Sequence, residues 1–246
     1  MTLSRFDTLE REKIVDWSQK ILWSEEGKKA RKYLFDNRKI SEDAAKTFKL
    51  GFVPSTNHQL SNRIIFPIYD TSDHLIALST RLIDNEKSSL PIYWHEKYNK
   101  SLYLYGLNIT KNRIRKTAFS IVLEGNFDVL TCYSHGLTNI VGALGHTLSK
   151  FHIALLLRYS DKIIIVFDND ENKAGQKGGE KLLSRMKDFQ SRLDPDKEYK
   201  KQDSLNLLNI GFVEIPEQGD PDDFVRKHGI LKFKKLIKIK RDLLNE

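Results

Sequence analysis

Four short apolar runs, separated by stretches of helical spacing, constrain this chain more than any other feature. Ile121 to Leu123, Asn139 to Val141, Lys162 to Phe167 and Gly211 to Ile215 are of strand length and carry many β-branched residues. An apolar run without alternation reads as a strand buried on both faces, the setting of a parallel sheet. Between the runs, Phe127 to His135 predicts a helix stopped by Gly136. Ser149 to Tyr159 predicts a second helix, and Ala174 to Arg192 a long third. Repeated strand–helix units close into a parallel sheet with right-handed crossovers. The expected fold class is therefore α/β over residues 118–246. The expected architecture is a four-stranded, mainly parallel sheet flanked by helices, ending in a basic amphipathic helix over Leu231 to Leu244.

Residues 1–117 read differently, as a smaller α+β subdomain of helices and a β-hairpin. Leu9, Ile14, Trp17, Ile21 and Leu22 recur at helical spacing. Ser24 is placed to cap a second helix with Glu25 and Glu26 in its first turn, and Ser41 a third through Ala44, Ala45 and Phe48. Arg63 to Asp70 and Leu75 to Ile83 are extended runs joined by the turn Thr71 to His74, which predicts a hairpin. Pro67 points to an edge or bulge position. A polar, aromatic loop over 84–101 and a basic helix from Ile109 to Lys116 complete the segment.

The apolar runs end in carboxylates. Glu124 closes the first run and Asp128 follows one helical turn later; Asp168 and Asp170 close the third. Open α/β sheets bind ligands at the carboxyl edges of their strands. Crowded carboxylates repel unless a cation lies among them, and hard oxygen ligands suit Mg²⁺ or Mn²⁺. Asp220 and Asp222 form a third acidic group after the fourth run, where helix N-capping is an equally good use for an aspartate. Gly125 and Gly145 sit at strand mouths, where the lack of a side chain lets a phosphate or base come close; ordinary turn chemistry explains them equally well. Arg63, Arg81 and Lys100 flank the hairpin and loop and have the chemistry to hold phosphate, although such residues are commonly solvated surface charges. Tyr93 and Trp94 could stack bases. Tyr103 and Tyr105 read as local core. Of the histidines only His146 falls near the acids, and none has metal-ligand spacing.

A formal net charge of +8 and a pI near 9.3 suit a polyanionic partner such as nucleic acid. The single cysteine, Cys132, excludes an internal disulfide and a cysteine-rich zinc site, and its helical position makes it a small core residue. With no signal-peptide pattern and no apolar run of membrane-spanning length, the expected location is cytoplasmic, with no membrane partner.

Taken together these motifs resemble the catalytic core of DnaG-type bacterial or phage primases, whose acidic centre is the TOPRIM domain shared with topoisomerases and some nucleases. Arg31 to Val53 resembles the family's helical entry, and Arg63-Ile-Ile-Phe-Pro-Ile-Tyr-Asp70 its Arg-Val-x-Phe-Pro-Ile-x-Asp. Ser79-Thr-Arg81 stands at its Gly-Gly-Arg, and Lys100 to Gly106 at its Lys followed by Leu-Tyr-Gly. Glu124-Gly-Asn-Phe-Asp128, Asp168-Asn-Asp170 and Gly219-Asp-Pro-Asp222 match its three acidic motifs in order. The resemblance implies a primase making short RNA primers on a single-stranded DNA template from ribonucleoside triphosphates. Glu124, Asp168 and Asp170 would be catalytic; with Asp220 and Asp222 they would hold the metal, and Asp128 would support them. Arg63, Arg81 and Lys100, with Gly125 and Gly145, would meet nucleic acid or nucleotide.

The departures are Ile92 in place of a lysine, Asn126-Phe127 for Tyr-Met, and Asn169 for a glycine. The family's zinc-binding module and helicase-contacting region have no counterpart in these residues. The expectation is a stripped core from a phage or mobile element, one half of a split primase, or a fragment, that calls on a separate zinc-binding module or a replicative helicase. A TOPRIM nuclease, and a primase-like binding module that needs a partner for activity, stay open as alternatives.

Overall fold

The computed structural model describes residues 7–55, 60–83, 90–169 and 209–243 of the 246. Asp170 and the helix expected over 174–192 lie outside the described residues. The chain forms two compact units, Met1–Asn99 and Lys100–Glu246. The boundary falls ahead of the basic helix near residue 109 rather than after it. The reason is local: Tyr105 exchanges both backbone hydrogen bonds with Gly142, at 2.8 and 3.0 Å, which ties this stretch to the second unit.

In the first unit, α1 (Thr8–Trp23) is capped by Asp7 and Glu10, each accepting from the other's backbone N–H at 2.8 and 2.9 Å. Its buried stripe is Arg11, Val15, Ser18 and Leu22. Of the residues at helical spacing, Leu22 is buried and Ile14 packs on the core, while Leu9 is 58% exposed and Trp17 39%. Two specific contacts bury the polar half of the stripe. Arg11 Nε donates to both oxygens of the buried Glu96 at 3.1 and 3.0 Å. Ser18 also lies so close to Gly51 that a Cβ there would fall 2.0 Å from its Oγ. After a 3₁₀ turn at Glu25–Gly27, α2 (Lys28–Arg31) runs on into a π-turn over Lys32–Asn37. Ser24 caps nothing with its side chain and donates back to the Ile21 carbonyl at 2.9 Å. Ser41 does cap α3 (Glu42–Thr47), accepting from the Ala44 N–H at 3.1 Å.

Strands β1 (Gly51–Val53), β2 (Arg63–Tyr69), β3 (Leu75–Leu82) and β4 (Tyr93–His95) form an antiparallel sheet in that order. The hairpin turn is held by Asp70, whose Oδ1 accepts from the Ser72 and His74 N–H groups at 2.8 and 2.9 Å. Pro67 lies beyond the β1 pairing, which ends at Gly51 opposite Ile65, and one residue before a register shift at Ile68/Tyr69. An absent N–H costs no ladder bond there.

The second unit opens with α4 (Leu107–Thr117) and then alternates: β5 (Phe119–Leu123), α5 (Asn126–Ser134), β6 (Ile140–Gly142), α6 (Lys150–Leu156) and β7 (Lys162–Phe167). It closes with β8 (Ile210–Glu214), α7 (Pro221–His228) and α8 (Ile230–Leu243). The four strands are all parallel, in the order β6-β5-β7-β8. Val122, Val141, Ile163 and Ile165 centre its core, with Leu107 and Ile114 of α4 and Leu156 of α6 packed against them. Cys132 is buried in α5. Connections from β5 lead to β6 on one side and β7 beyond it on the other, so the chain reverses direction across the sheet at β5. That reversal opens a crevice at the carboxyl edge, the usual ligand position in such sheets. No helix among the described residues is long and apolar enough to cross a membrane.

Candidate active site

Glu124 leaves the end of β5 and Asp168 the end of β7. The Asp168 N–H donates to Glu124 Oε1 at 3.0 Å, so the two strand ends are joined through one carboxylate. The other oxygen, Oε2, lies 2.6 Å from His146 Nδ1. Glu124 is 5% exposed, while the His146 side chain is 63% exposed on the loop after β6. The sequence placed His146 near the acids, and the fold brings it onto Glu124 itself.

The third acidic group is drawn in by the backbone. Asn169 and Gly219 exchange both hydrogen bonds, at 2.9 and 3.1 Å, and Asn169 Nδ2 donates to the Ile215 carbonyl at 2.9 Å. Asp168 and Asp220, the immediate neighbours of that pair, are thereby held on adjacent turns. Asp220 caps α7, its Oδ1 accepting from the Asp223 N–H at 2.7 Å. One carboxylate oxygen from each of Asp220, Asp222 and Asp223 lies within 4.8 Å of the others, a spacing that can hold a metal ion. Capping and metal holding are thus compatible at Asp220.

Asp128 and Asp222 lie beneath, 5% and 1% exposed. Asp128 accepts from the Gly125 N–H at 2.7 Å and the Asp222 N–H at 3.0 Å. Burial raises its pKa to about 8, and the nearby charges of Asp220 and Asp222 add to that; the two N–H bonds act the other way. Asp222, expected from the sequence among the metal-holding acids, is buried and already engaged. Its oxygens already accept from Thr131 Oγ1 at 2.6 Å and from Arg226 at 3.1 and 3.2 Å. Arg226 also donates to Asp223. Thr131 and Arg226 carry no motif and were not legible as site residues.

Gly125 is required from within. A Cβ there would sit 2.9 Å from Asp128 Oδ2, so the absent side chain serves Asp128 as much as any ligand. Gly145 differs, with nothing within 4 Å of the position a Cβ would take. Lys100 lies at the same mouth, its Nζ 3.5 Å from the Leu144 carbonyl. Burial lowers its pKa. Its backbone is fixed by the buried His152, whose Nδ1 accepts from the Ser149 N–H at 3.3 Å, leaving Nε2–H to donate to the Lys100 carbonyl at 2.8 Å. Burial lowers the His152 pKa too, in keeping with that neutral ring.

In the first unit the Arg63 side chain is turned into the protein. It is 1% exposed, and its guanidinium donates to the Pro91 and Ile92 carbonyls at 2.7 and 3.2 Å and to Thr80 Oγ1 at 3.4 Å. Desolvation lowers its pKa. The expectation of a nucleic-acid contact is corrected: its neighbours on β3 and β4 bury it, and it props up the loop that carries Ile92. Arg81 is on the surface. It donates to the Tyr93 hydroxyl, and its guanidinium lies 4.7 Å from the Tyr93 ring centroid and 6.0 Å from that of Tyr33. Arg38 covers the same Tyr33 ring at 5.7 Å, and Tyr93 stacks with His95 at 6.3 Å. Cations and aromatic faces alternate across β3 and β4.

Residues 121–225 match the Toprim-like family. The DNA primase of Legionella pneumophila is 29% identical over 235 residues, covering 82% of this chain and 38% of the relative. That of Clostridium acetobutylicum is 32% identical over 181 residues, covering 72% and 26%. The chain therefore spans about two-fifths or less of the length of these curated relatives. A solved structure of the DnaG primase catalytic domain bound to single-stranded DNA superposes with a TM-score of 0.75 at 22% identity, covering 92% of this chain and 76% of the other. By sequence kinship and by fold, with a Toprim-like domain at its acidic edge, the chain belongs with the DnaG-type primase catalytic cores.

Proposed function

We propose that this chain is the nucleotidyl-transfer core of a DNA primase, making short RNA primers on single-stranded DNA. The observation that carries the reading is the joining of Glu124 to the Asp168 backbone across the reversal point of the sheet, with the Asp220 turn held beside it. The oxygen-rich set of Glu124, Asp168 and Asp220, with Asp170 next in sequence, fits Mg²⁺ or Mn²⁺. Such an ion, when bound, supplies Lewis-acid stabilisation of phosphoryl oxygens.

The protein's own residues position the reaction. The Asp168 N–H and His146 fix the Glu124 carboxylate from two sides. Asp128 holds the Gly125 and Asp222 amides, and with them the starts of α5 and α7. Lys100 offers a partly desolvated charge to the phosphates of an incoming ribonucleoside triphosphate. Arg81 and the Tyr93 ring have the chemistry to take a single strand by phosphate and base face. The relatives named DNA primase support the reaction class, and the related domain bound to single-stranded DNA supports the template. A separate zinc-binding module or a helicase would supply template selection.

The test is a priming assay with single-stranded DNA, labelled ribonucleotides and Mg²⁺ or Mn²⁺, run beside Asp168→Ala. Short RNA made by the wild type and abolished in the variant, with DNA binding retained, is the expected result. Undiminished synthesis by Asp168→Ala would overturn the assignment of the centre. Degradation of the DNA with no RNA made would replace the primase with a nuclease.

A further inference from the structure

The acids occupy the carboxyl edge of the parallel sheet. At its amino edge the end of α4, the chain leading into β6, and α8 enclose a cavity of about 370 Å³. Arg113 and Thr117 line it from α4, Asn139 from the residue before β6, and Lys234, Lys238 and Arg241 from α8. Spacings of four and three place the α8 cations on one helix face. No carboxylate lines the cavity among the described residues. Asp242, which pairs with Arg241 at 2.8 Å, is not in the wall and offsets one of the four charges. Lys234 Nζ lies 3.4 Å from the Gly136 carbonyl, and the Arg241 guanidinium 5.7 Å from the Phe119 ring centroid.

Four cations converging on one concave surface repel each other unless an anion joins them. The volume is that of a single small-ligand site. Guanidinium forks and lysine point charges together suit phosphate. Five residues of β5 separate this edge from Glu124, roughly 16 Å at strand rise, so the phosphates held here are not those held at the acids.

We propose that this cavity is a second, phosphate-binding site, filled by the phosphates of a nucleic-acid strand or of a free nucleotide. It does not depend on the reading of the acidic centre, because no residue is shared between them. Lys238 is exposed and Lys234 half-buried, while Ile237 and Phe233 carry the packing of α8, so the two lysines can be changed without opening the core.

The experiment uses the full chain in EDTA, which keeps metal-dependent binding at the acids out of the signal. Lys234→Gln/Lys238→Gln is compared with wild type and with Lys13→Gln/Lys20→Gln, which removes the same charge from the exposed face of α1. A fluorescent single-stranded oligonucleotide is titrated by anisotropy across a salt series, and ATP by calorimetry. The cavity variant is expected to bind one of the two at least about fivefold more weakly. If that ligand is the oligonucleotide, the salt slope should fall by about 1.4, two phosphate contacts on a single strand. Loss for the oligonucleotide alone assigns a strand, and loss for ATP alone a free nucleotide. Recovery in Lys234→Arg/Lys238→Arg would support a site built on charge. Equal binding by all variants, or equal losses in the cavity and α1 variants, would overturn the proposal.

Discussion

The backbone N–H of Asp168 donates to Glu124 Oε1, so the carboxyl ends of β5 and β7 are tied together through one carboxylate. Glu124→Gln keeps the shape of the side chain and removes its charge. Primer synthesis should fall at least about 100-fold, the scale of losing one preorganised charge contact at a reacting centre. The melting temperature should barely move, because an amide oxygen can still accept from Asp168. Initial rates and a thermal melt on the same preparation test this; a rate within threefold of wild type would refute it.

Asp128 predicts how stability depends on pH. Its folded value of about 8 stands well above the ordinary 3.8. An acid harder to ionise when folded takes up a proton on folding. Its contribution is therefore most favourable below pH 4 and is lost as pH rises towards 8, above which the profile is flat. In EDTA, the melting temperature of wild type relative to Asp128→Asn should drop steadily from about pH 4 to pH 8. A difference that stays constant over that window would show that Asp128 is not the group responsible.

Arg63 should matter for folding and not for affinity. Arg63→Ala removes a charged donor from the Pro91 and Ile92 carbonyls, of which Ile92 keeps the Leu82 N–H at 2.8 Å, and opens a void, costing about 1–3 kcal/mol for the lost charged hydrogen bonds. Arg63→Lys should recover little, because an ammonium cannot reproduce the fork. Denaturant unfolding measures the loss. Well below the melting transition, the affinity of either variant for single-stranded DNA should match wild type, and a tenfold drop there would restore Arg63 as a binding residue.

Tyr93 should behave in the opposite way. Its ring is 41% exposed and lies under Arg81. If bases stack on it, Tyr93→Ala should weaken single-strand binding by about 1–3 kcal/mol with little change in melting temperature. Anisotropy titrations at fixed salt, compared with Tyr33→Ala on the same face, decide the point; unchanged affinity in both would remove this surface from the binding path.

The parallel sheet was legible because both its faces are buried. Runs such as Ile163 to Phe167 have no solvent side to dilute the apolar signal. The position of Glu124 and Asp168 at the strand ends was legible because each directly follows such a run, whereas the structural uses of Asp128 and Asp220 show only in the fold. Helix α1 was legible from its spacing, but the polar half of its buried stripe was not, because Arg11 and Ser18 are buried by Glu96 and Gly51, residues distant in sequence. The same limit hid Thr131 and Arg226, whose partners are chosen by tertiary structure, whereas His146 was legible by its place near the acids though not its pairing with Glu124. Arg63 was misread for a related reason: its motif names a residue type, whereas its burial depends on carbonyls from a loop almost thirty residues on.

The two-bond bridge between Asn169 and Gly219 has a consequence for how such a chain can change over time. It fixes the separation of Asp168 and Asp220 directly, whatever length of polypeptide runs from one to the other. Insertions, deletions or whole appended modules between them would cost loop-closure entropy that grows only slowly with length, without moving a carboxylate. Chemistry and elaboration are thereby decoupled: outside Asp170 and β8 with its flanking Ile215, the intervening sequence can change in length while the acids stay in register.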